Sequence, residues 1–326
     1  MSIIFRVILV YCGLSLATAG ALYEDVGQTL YEAAVIAAVN AKVLVRIGLW
    51  VAPLVIGVVL ITGWRKWKER LVPLLFVGVA TVFFHVGFSF FKGVIPKLVP
   101  YYADAGLADL DRWLHFGIDP WVFAQGMIPA EWGPKLVMFY LPIWLVPALT
   151  FPAILICIDS NRQRVWRYIM LYFGGWFILG NLAALAGSSV GPVFYDRLLG
   201  GERFADLALA LEHSGIRNSA IGFVQDALWR RFETGEGPMG LGISAFPSMH
   251  VAIAAITAMY LYERSPWLAP VGLGFLAIIL FASVYTGYHY ALDGYFSIAA
   301  VLLGNRLLVR HQNRVSQART MQSIAA

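Results

Sequence analysis

Two histidines and one aspartate in the last quarter of the chain have the spacing of an acid–base site. His289 and Asp293 lie four residues apart in ASVYTGYHYALDGYF, so on a helix they share one face and can hydrogen-bond. His250 ends the earlier stretch AFPSMH, one predicted helical hairpin away. Such a set suits phosphoryl transfer through a phosphohistidine: one imidazole attacks phosphorus, the aspartate orients it, and the other imidazole protonates the leaving oxygen. This chemistry requires no metal and no cofactor.

The residues just before His250 predict a helix terminus that binds an anion. The charge of a phosphate must be met by Arg or Lys side chains and by backbone N–H groups. Proline is favoured at the first position of a helix, so Pro247 predicts a helix start with Ser248 and Met249 in the first turn. Their free N–H groups and the helix dipole are then expected to face the phosphate, with the Ser248 hydroxyl as a further donor.

The composition indicates an integral membrane protein. Of the 326 residues 60% are hydrophobic and 13% are charged, and the mean hydropathy is +0.71. Soluble domains average about 45–50% apolar and 25% charged residues. The basic residues fall in short loops between apolar runs, so the net charge of +5 reports membrane topology and does not indicate a nucleic-acid partner. Cys12 and Cys157 both lie within apolar segments, which excludes a disulfide framework and a CxxC metal site.

Eight apolar segments are close to the length of about 20 residues that a helix needs to cross a bilayer. They predict an all-α, polytopic transmembrane bundle of about eight spans that forms a single domain over residues 1–326. The predicted spans are 3–21, 43–63, 71–92, 135–158, 166–187, 245–262, 267–286 and 289–309. The first span is compatible with either a retained helix or a cleaved signal peptide.

Basic residues cluster in alternate connections and set the predicted orientation. By the positive-inside rule these connections and the C-terminus are cytoplasmic, which places His250 and His289 on the extracytoplasmic side of a plasma or inner membrane. The basic residues are Arg65, Lys66, Lys68 and Arg70 in loop 64–70, Arg162, Arg164 and Arg167 in loop 159–167, and Arg306, Arg310, Arg314 and Arg319 in the tail.

Two long connections, 93–134 and 188–244, fall on the external side and are predicted to form a cap. Leu107, Leu110 and Leu114 recur at helical spacing in the first connection, which is typical of an amphipathic interfacial helix. FADLALALEHSG and SAIGFVQDALWRRF predict two more short amphipathic helices in the second connection.

The stretches PSMH and VYTGYHYALD, in this order, resemble the second and third signature motifs of the type 2 phosphatidic acid phosphatase superfamily. The direct resemblance covers about residues 244–297. It implies that His289 is the nucleophile, that Asp293 orients it and that His250 is the general acid. It also implies a phospholipid or another lipid phosphate as the substrate.

The chain departs from that family's pattern at the cations that bind phosphate. Ala282 and Ser283 occupy the positions where the third motif has Ser-Arg, and the first motif, a Lys followed by Arg-Pro, is not found. SSVGPVFYDRLLGG, together with AFPSMH and GYHY, is more similar to the inositol phosphorylceramide synthase branch, and DRWLHFG is similar to its bacterial relatives. The further predicted substrate contacts are Arg197, as the replacement cation, Tyr285 and Tyr288, with Arg217, Arg230 and Arg231 as the next cations.

These residues predict an enzyme that cleaves a lipid phosphoester or pyrophosphate. Water as the acceptor gives a phosphatase, whereas a lipid or polyol hydroxyl gives a phosphotransferase, and access to the pocket decides between them. The alternative is a non-catalytic lipid or anion transporter on the same fold, for which His250 and His289 are expected to lie far apart. The other histidines are interpreted as structural, with His85 packed inside the bundle and His115 and His213 solvated.

Overall fold

The protein is built from helices, as the all-α prediction requires. The computed structural model describes residues 2–62 and 64–325, and this part of the chain contains no β-strand. The description leaves out the side chains at positions 2, 50, 51, 54, 55, 58–67, 319–321 and 323–325. The predicted cytoplasmic residues Arg65, Lys66 and Arg319 therefore have side chains outside the description, and Gly63, in the second predicted span, lies outside it.

The helices are numbered in chain order. The first are α1 Ser2–Tyr23, α2 Val26–Thr62, α3 Trp64–Leu98, α4 Asp104–Leu114, α5 Pro120–Met127, α6 Gly133–Met138, α7 Trp144–Ile158 and α8 Arg162–Phe177. They are followed by α9 Ala184–Ala186, α10 Pro192–Leu199, α11 Ala205–His213, α12 Ala220–Thr234, α13 Met249–Arg264, α14 Ala269–Tyr285 and α15 Ala291–Ala325. Two π-helical turns, Phe139–Ile143 and Ile178–Ala183, and two 3-10 turns, Ala130–Trp132 and Pro266–Leu268, connect some of them.

Six stretches of the described chain are long and apolar enough to cross a membrane. They are Ile3–Tyr23, Lys68–Leu98, Ala130–Ile158, Arg162–Ala186, Pro266–Tyr285 and Ala291–Ala318, which correspond to six of the predicted spans. The two remaining predictions fall on α2, whose side chains are described only in part, and on α13. Helix α13 has 16 residues and rises about 24 Å, so the count of eight spans stays a prediction.

The segments 64–70 and 159–167, which were predicted to be loops, are helical in whole or in part. Residues 64–70 form the first turns of α3, and within 159–167 helix α8 begins at Arg162. Asn161 caps α8 by accepting a hydrogen bond from Arg164 N at 3.0 Å. Because Lys, Arg and Glu are good helix formers, a helix can continue past the point where the apolar pattern ends.

Helix α13 lies at the centre of the bundle and carries His250 in its first turn. Its residues from Val251 to Ile256 are each at most 2% exposed, as expected for a helix that is apolar on every side. It packs against α7, α8, α14 and α15. Gly272 of α14 permits a close approach, since a Cβ atom there would lie 2.8 Å from Ala258 Cα.

The two long connections, predicted to be external, form short helices. Helix α4 falls within 93–134, and its two faces differ. Leu110 and Leu114 are 44% and 40% exposed, whereas Asp104 and Asp111 are 1% and 2% exposed. The leucines thus point away from the protein, where an interfacial helix contacts lipid, and the aspartates point into it. Helices α11 and α12 coincide with the other two predicted amphipathic segments.

Candidate active site

His289 and Asp293 form a hydrogen-bonded pair at the start of α15. Nδ1 of His289 lies 3.1 Å from Oδ2 of Asp293, whose side chain is fully buried. The same carboxylate oxygen accepts a hydrogen bond from Tyr290 N at 3.2 Å. The predicted hydrogen bond is confirmed, but the predicted helical face is wrong, because His289 lies two residues before α15. Its backbone N–H donates instead to Ser283 O at 3.2 Å, which fixes the turn.

The pairing determines which nitrogen of His289 can react. A carboxylate beside Nδ1 keeps the proton on that nitrogen, so the lone pair of Nε2 is free. His289 borders a cleft of about 10 Å³ whose walls include Asp119, Trp121, Pro192 and Phe204. This volume is close to that of one water site, so the cleft must widen to admit a phosphate group.

His250 is held between two aromatic rings close to this pair. Its ring centre lies 4.1 Å from that of Tyr140, at an interplanar angle of 10°, and 3.9 Å from that of Trp144, at 28°. The Trp144 indole N–H also donates to His250 O at 3.0 Å. Nε2 of His250 is enclosed and has no hydrogen-bond partner among the described residues. The ring centres of His250 and His289 are 6.3 Å apart, so both imidazoles can reach one phosphate.

A π-helical turn explains how Tyr140 and Trp144 enclose one imidazole. The turn comprises Phe139–Ile143, and its Pro142 has no N–H to donate to the carbonyl four residues earlier. Tyr140 lies within this turn and Trp144 directly follows it, and the His250 ring stacks on both.

The turn at the start of α13 differs from the prediction. The helix begins at Met249 and not at Pro247. Ser248 is the N-cap, because its hydroxyl accepts a hydrogen bond from Val251 N at 3.4 Å. The Ser248 N–H donates to Asp293 O at 3.4 Å. These groups are therefore partnered within the protein, and Ser248 joins α13 to α15.

Asp111 of α4 caps the helix that carries Asp293. Its carboxylate accepts hydrogen bonds from Ala291 N at 3.0 Å and Leu292 N at 2.9 Å, the first N–H groups of α15. Burial raises the pKa of Asp111 to about 6, while the two hydrogen bonds act in the opposite direction. A side chain from the external cap thus fixes the start of α15.

Asp104, two turns earlier on the same face of α4, holds the neighbouring loop. It accepts hydrogen bonds from Val190 N and Gly191 N, both at 2.9 Å, and from the Tyr290 hydroxyl at 3.0 Å. Burial raises the pKa of Asp104, and these three hydrogen bonds oppose the shift. Asp111 therefore holds the backbone just after His289, and Asp104 joins the Tyr290 side chain to the loop at Val190.

We expect Asp111→Asn to weaken this cap and to change the pH dependence of folding. Loss of a helix cap costs about 1 kcal/mol. Because the folded pKa of about 6 exceeds the ordinary Asp value of about 3.9, the folded state holds the proton more tightly. The contribution of Asp111 to the free energy of unfolding therefore falls as the pH rises from about 4 to about 6 and is constant above that range.

Thermal midpoints of the detergent-solubilised protein, measured at several pH values across this window, check the prediction. The slope of the midpoint against pH is expected to be more positive in Asp111→Asn than in wild type, because the falling contribution of Asp111 is removed. His115 is the histidine next to this carboxylate, with its Nδ1 3.7 Å from Asp111, so His115→Gln is the matched control. Equal slopes for wild type and Asp111→Asn would contradict the prediction.

A comparison with known families identifies the superfamily of the chain. The family model of the PAP2 superfamily matches residues 105–307, more than half of the chain, and this range contains His250, His289 and Asp293. The chain belongs to the PAP2 superfamily. No curated protein and no solved structure matches it. Phosphatase-type chemistry at a membrane is therefore what membership of this family suggests.

Of the two tyrosines that sequence analysis assigned to the PAP2 site, one lies near the histidines. The ring of Tyr288 is 6.0 Å from that of Tyr140, which itself stacks on His250. Tyr285 is fully buried at the end of α14, and its hydroxyl lies beside Gly133, away from that stack. Contact of either tyrosine with substrate stays a prediction.

The cations predicted for the PAP2 site lie on the external cap. Arg197 is exposed, and its guanidinium carbon lies 5.4 Å from the centre of the Trp229 ring. It is not one of the residues that line the cleft at His289. Arg217 pairs with Asp226 at 3.5 Å, Arg231 donates to Gly235 O and Gly237 O, and Arg230 is exposed. Phosphate binding by these arginines stays a prediction.

Lys92 of α3 is a cation near the PAP2 histidines that sequence analysis missed. It lies one helical turn after Phe88, whose ring is 4.6 Å from that of Trp176, and Trp176 is 6.3 Å from Trp144, which stacks on His250. Among the described side chains none forms an ion pair or hydrogen bond with Lys92. The sequence feature that could have identified Lys92 is its position in the apolar run FSFFKGVIP. An ionisable residue within a membrane span is by default a candidate for function.

The remaining histidines are structural or exposed. His85 is buried in the bundle, as predicted, with Nε2 3.2 Å from the Tyr172 hydroxyl. The prediction that His115 is solvated is wrong, because its Nε2 lies 3.0 Å from the Tyr295 hydroxyl and thereby links α4 to α15. His213 is exposed at the end of α11, as predicted.

Proposed function

We propose that this member of the PAP2 superfamily cleaves a lipid phosphoester or pyrophosphate through a phosphohistidine on His289. The observation that supports the proposal most is the pair of imidazoles with ring centres 6.3 Å apart, one of them bound to Asp293 through Nδ1. An arrangement of nucleophile, orienting carboxylate and second imidazole is what two-step transfer of a phosphoryl group requires. The chemistry calls for no cofactor.

In the first step, Nε2 of His289 attacks phosphorus. The N–P bond forms as the P–O bond to the leaving group breaks, and His250 gives its proton to the leaving oxygen. Asp293 stabilises the positive charge that develops on the His289 ring. In the second step, His250 takes a proton from the acceptor hydroxyl, whose oxygen attacks phosphorus while the N–P bond breaks.

The acceptor distinguishes a phosphatase from a phosphotransferase. Water gives hydrolysis, and a lipid or polyol hydroxyl gives transfer of a phosphorylated head group through the same intermediate. The similarity of SSVGPVFYDRLLGG to the inositol phosphorylceramide synthase branch favours transfer. Turnover of a panel of lipid phosphates and phospholipids in detergent with EDTA, with and without added alcohols, tests both outcomes. Activity that requires added divalent metal would count against the proposed route.

The site belongs, in this proposal, on the extracytoplasmic side of the membrane. The support is the asymmetry of basic residues: Lys68, Arg70, Arg162 and Arg314 lie at the end of the bundle opposite His289. The C-terminus is then cytoplasmic. Accessibility of a cysteine introduced at the exposed position of Arg197 to a thiol reagent that cannot cross membranes tests this orientation.

A non-catalytic transporter on the same fold is the rival function. Transporter sites lie near the middle of the bilayer at broken helices, whereas His250 lies in the first turn of α13 and His289 lies just before α15. Separation of the two histidines beyond the reach of one phosphate would favour the rival. Their rings are 6.3 Å apart, which supports the enzyme.

We expect Lys92→Gln to lower kcat/KM by about 10²–10³-fold, the usual effect of removing one group that stabilises transition-state charge. Lys92 supplies, in this proposal, the positive charge that the family pattern places at position 283, where this chain has Ser283. Lys92→Arg retains the charge and is expected to lose less activity. Steady-state rates with one lipid phosphate measure the effect.

Arg197→Gln is the matched comparison, because Arg197 is the cation that the sequence predicts. Since Arg197 is exposed, its loss is expected to raise KM by less than about tenfold. A larger loss in Arg197→Gln than in Lys92→Gln would transfer the role of phosphate-binding cation to Arg197.

A further inference from the structure

A second cleft lies at the end of the bundle remote from the histidines. It has a volume of about 590 Å³ and opens between α1, α3, α7 and α8. Along α3 it extends from Glu69 to Ala80, and Lys92 lies 12 residues beyond Ala80. At 1.5 Å per residue this separation is about 18 Å, and neither His250 nor His289 lines the cleft, so the cleft is not an extension of the proposed catalytic site.

The depth of the cleft matches one leaflet of a bilayer. Its length on α3, from Glu69 to Ala80, corresponds to a rise of about 17 Å. The hydrocarbon core of a bilayer is about 30 Å thick, so the cleft spans half of it. Its inner walls are apolar and aromatic, with Phe5, Phe76 and Phe173 among them. These are the dimensions and the lining that an acyl chain requires.

The rim of the cleft carries a small excess of positive charge. Asp159 is already paired, because Arg164 Nε lies 2.6 Å from its Oδ2 atom. Arg70 donates to the carbonyls of Ile156 and Cys157 and to the hydroxyl of Ser160, none of which is charged. Arg162 is exposed at the rim and forms no ion pair with any described side chain. Glu69 is the other carboxylate that lines the cleft, so two arginines face one unpaired acid.

We propose that this cleft binds an anionic phospholipid, with its phosphate at Arg162 and Arg70 and one acyl chain directed toward Ala80. Basic pockets between transmembrane helices on the cytoplasmic side are suited to anionic head groups, because that leaflet is rich in anionic lipid. The site lies in the leaflet opposite His289, so the bound lipid is a structural ligand and not the substrate. The inference does not depend on the proposed reaction.

Native mass spectrometry of the full chain, released from detergent with added lipid, tests the proposal. Phosphatidylglycerol and phosphatidylcholine with identical acyl chains are compared, and glycerol phosphate serves as the head group alone. The wild type is expected to retain phosphatidylglycerol at least about fivefold more than phosphatidylcholine, since one basic side chain near the surface accounts for about that factor. Glycerol phosphate is expected not to bind, because it lacks the acyl chain.

Two variants separate the parts of the site. Arg162→Gln is expected to lower retention of phosphatidylglycerol about fivefold, and Ala80→Phe, which fills the inner end, is expected to lower retention of both lipids. Arg314→Gln is the matched control, because Arg314 is exposed on α15 and does not line the cleft. Equal retention of the two lipids by wild type, or unchanged retention in Arg162→Gln, would overturn the proposal, and binding of glycerol phosphate would identify a soluble phosphate ligand instead.

Discussion

Replacement of His289 by alanine is expected to lower kcat by at least about 10⁴-fold, as removal of a nucleophile does in other enzymes that work through a covalent intermediate. The proposed reaction has no N–P bond without this side chain. Asp293 cannot substitute, because its carboxylate is fully buried and directed at Nδ1 of His289. The loss should therefore appear in kcat with both water and alcohol acceptors.

The intermediate itself provides the more specific measurement. Wild-type protein mixed with a lipid phosphate labelled with ³²P and quenched in alkali is expected to carry label on one histidine, and His289→Ala is expected to carry none. His213→Ala is the matched control, since His213 is exposed at the end of α11 and outside the site. Label that persists in His289→Ala, or activity that is undiminished in it, would disprove the phosphohistidine on His289.

The proposed catalytic set could be put together from the sequence because each part has a local signal. His289 and Asp293 are four residues apart, and His250 lies at the start of an apolar segment. The alternation of spans then returns both histidines to one end of the bundle. The 6.3 Å separation of their rings agrees with that topology.

The contacts that hold His250 could not be found in this way. Tyr140 and Trp144 are more than 100 positions earlier in the chain, and they reach the imidazole because of a π-helical turn. A regular helix was predicted across this span. The wider π-helical turn changes which side chains face the core. Neither the periodicity of apolar residues nor the length of a span indicates that such a turn is present.

Hydrogen bonds between distant segments explain the other places where the structure differs from the sequence predictions. Sequence analysis placed Pro247 first in α13, but Ser248 takes the N-cap position and also donates to Asp293 O. Asp111 lies in a segment that was predicted as an amphipathic interfacial helix, and its side chain caps α15. Such caps depend on which chain ends meet in space, so local propensity does not predict them.

Replacement of His250 by glutamine is expected to reveal its role through the leaving group. A general acid matters most when the leaving oxygen is strongly basic. With an alkyl phosphate, which leaves as an alkoxide unless it is protonated, we expect kcat/KM to fall by about 10²–10⁴-fold. With a nitrophenyl phosphate, whose leaving group needs no proton, we expect a fall of less than about tenfold.

The comparison of two substrates excludes a merely structural effect. His250 also fills the gap between Tyr140 and Trp144, so its replacement could loosen the site. Loosening would lower activity on both substrates by the same factor, because attack by His289 is common to them. His311→Gln is the matched control, since His311 is exposed toward the far end of α15.

Equal losses on the two substrates would assign His250 a positioning role and leave the proton donor to another group. Lys92 of α3 is then the side chain to test. A loss confined to the alkyl phosphate would place the transferred proton on His250, because no other step of the reaction distinguishes the two leaving groups. The ratio of the two kcat/KM values therefore decides between the roles without requiring that the variant retain wild-type stability.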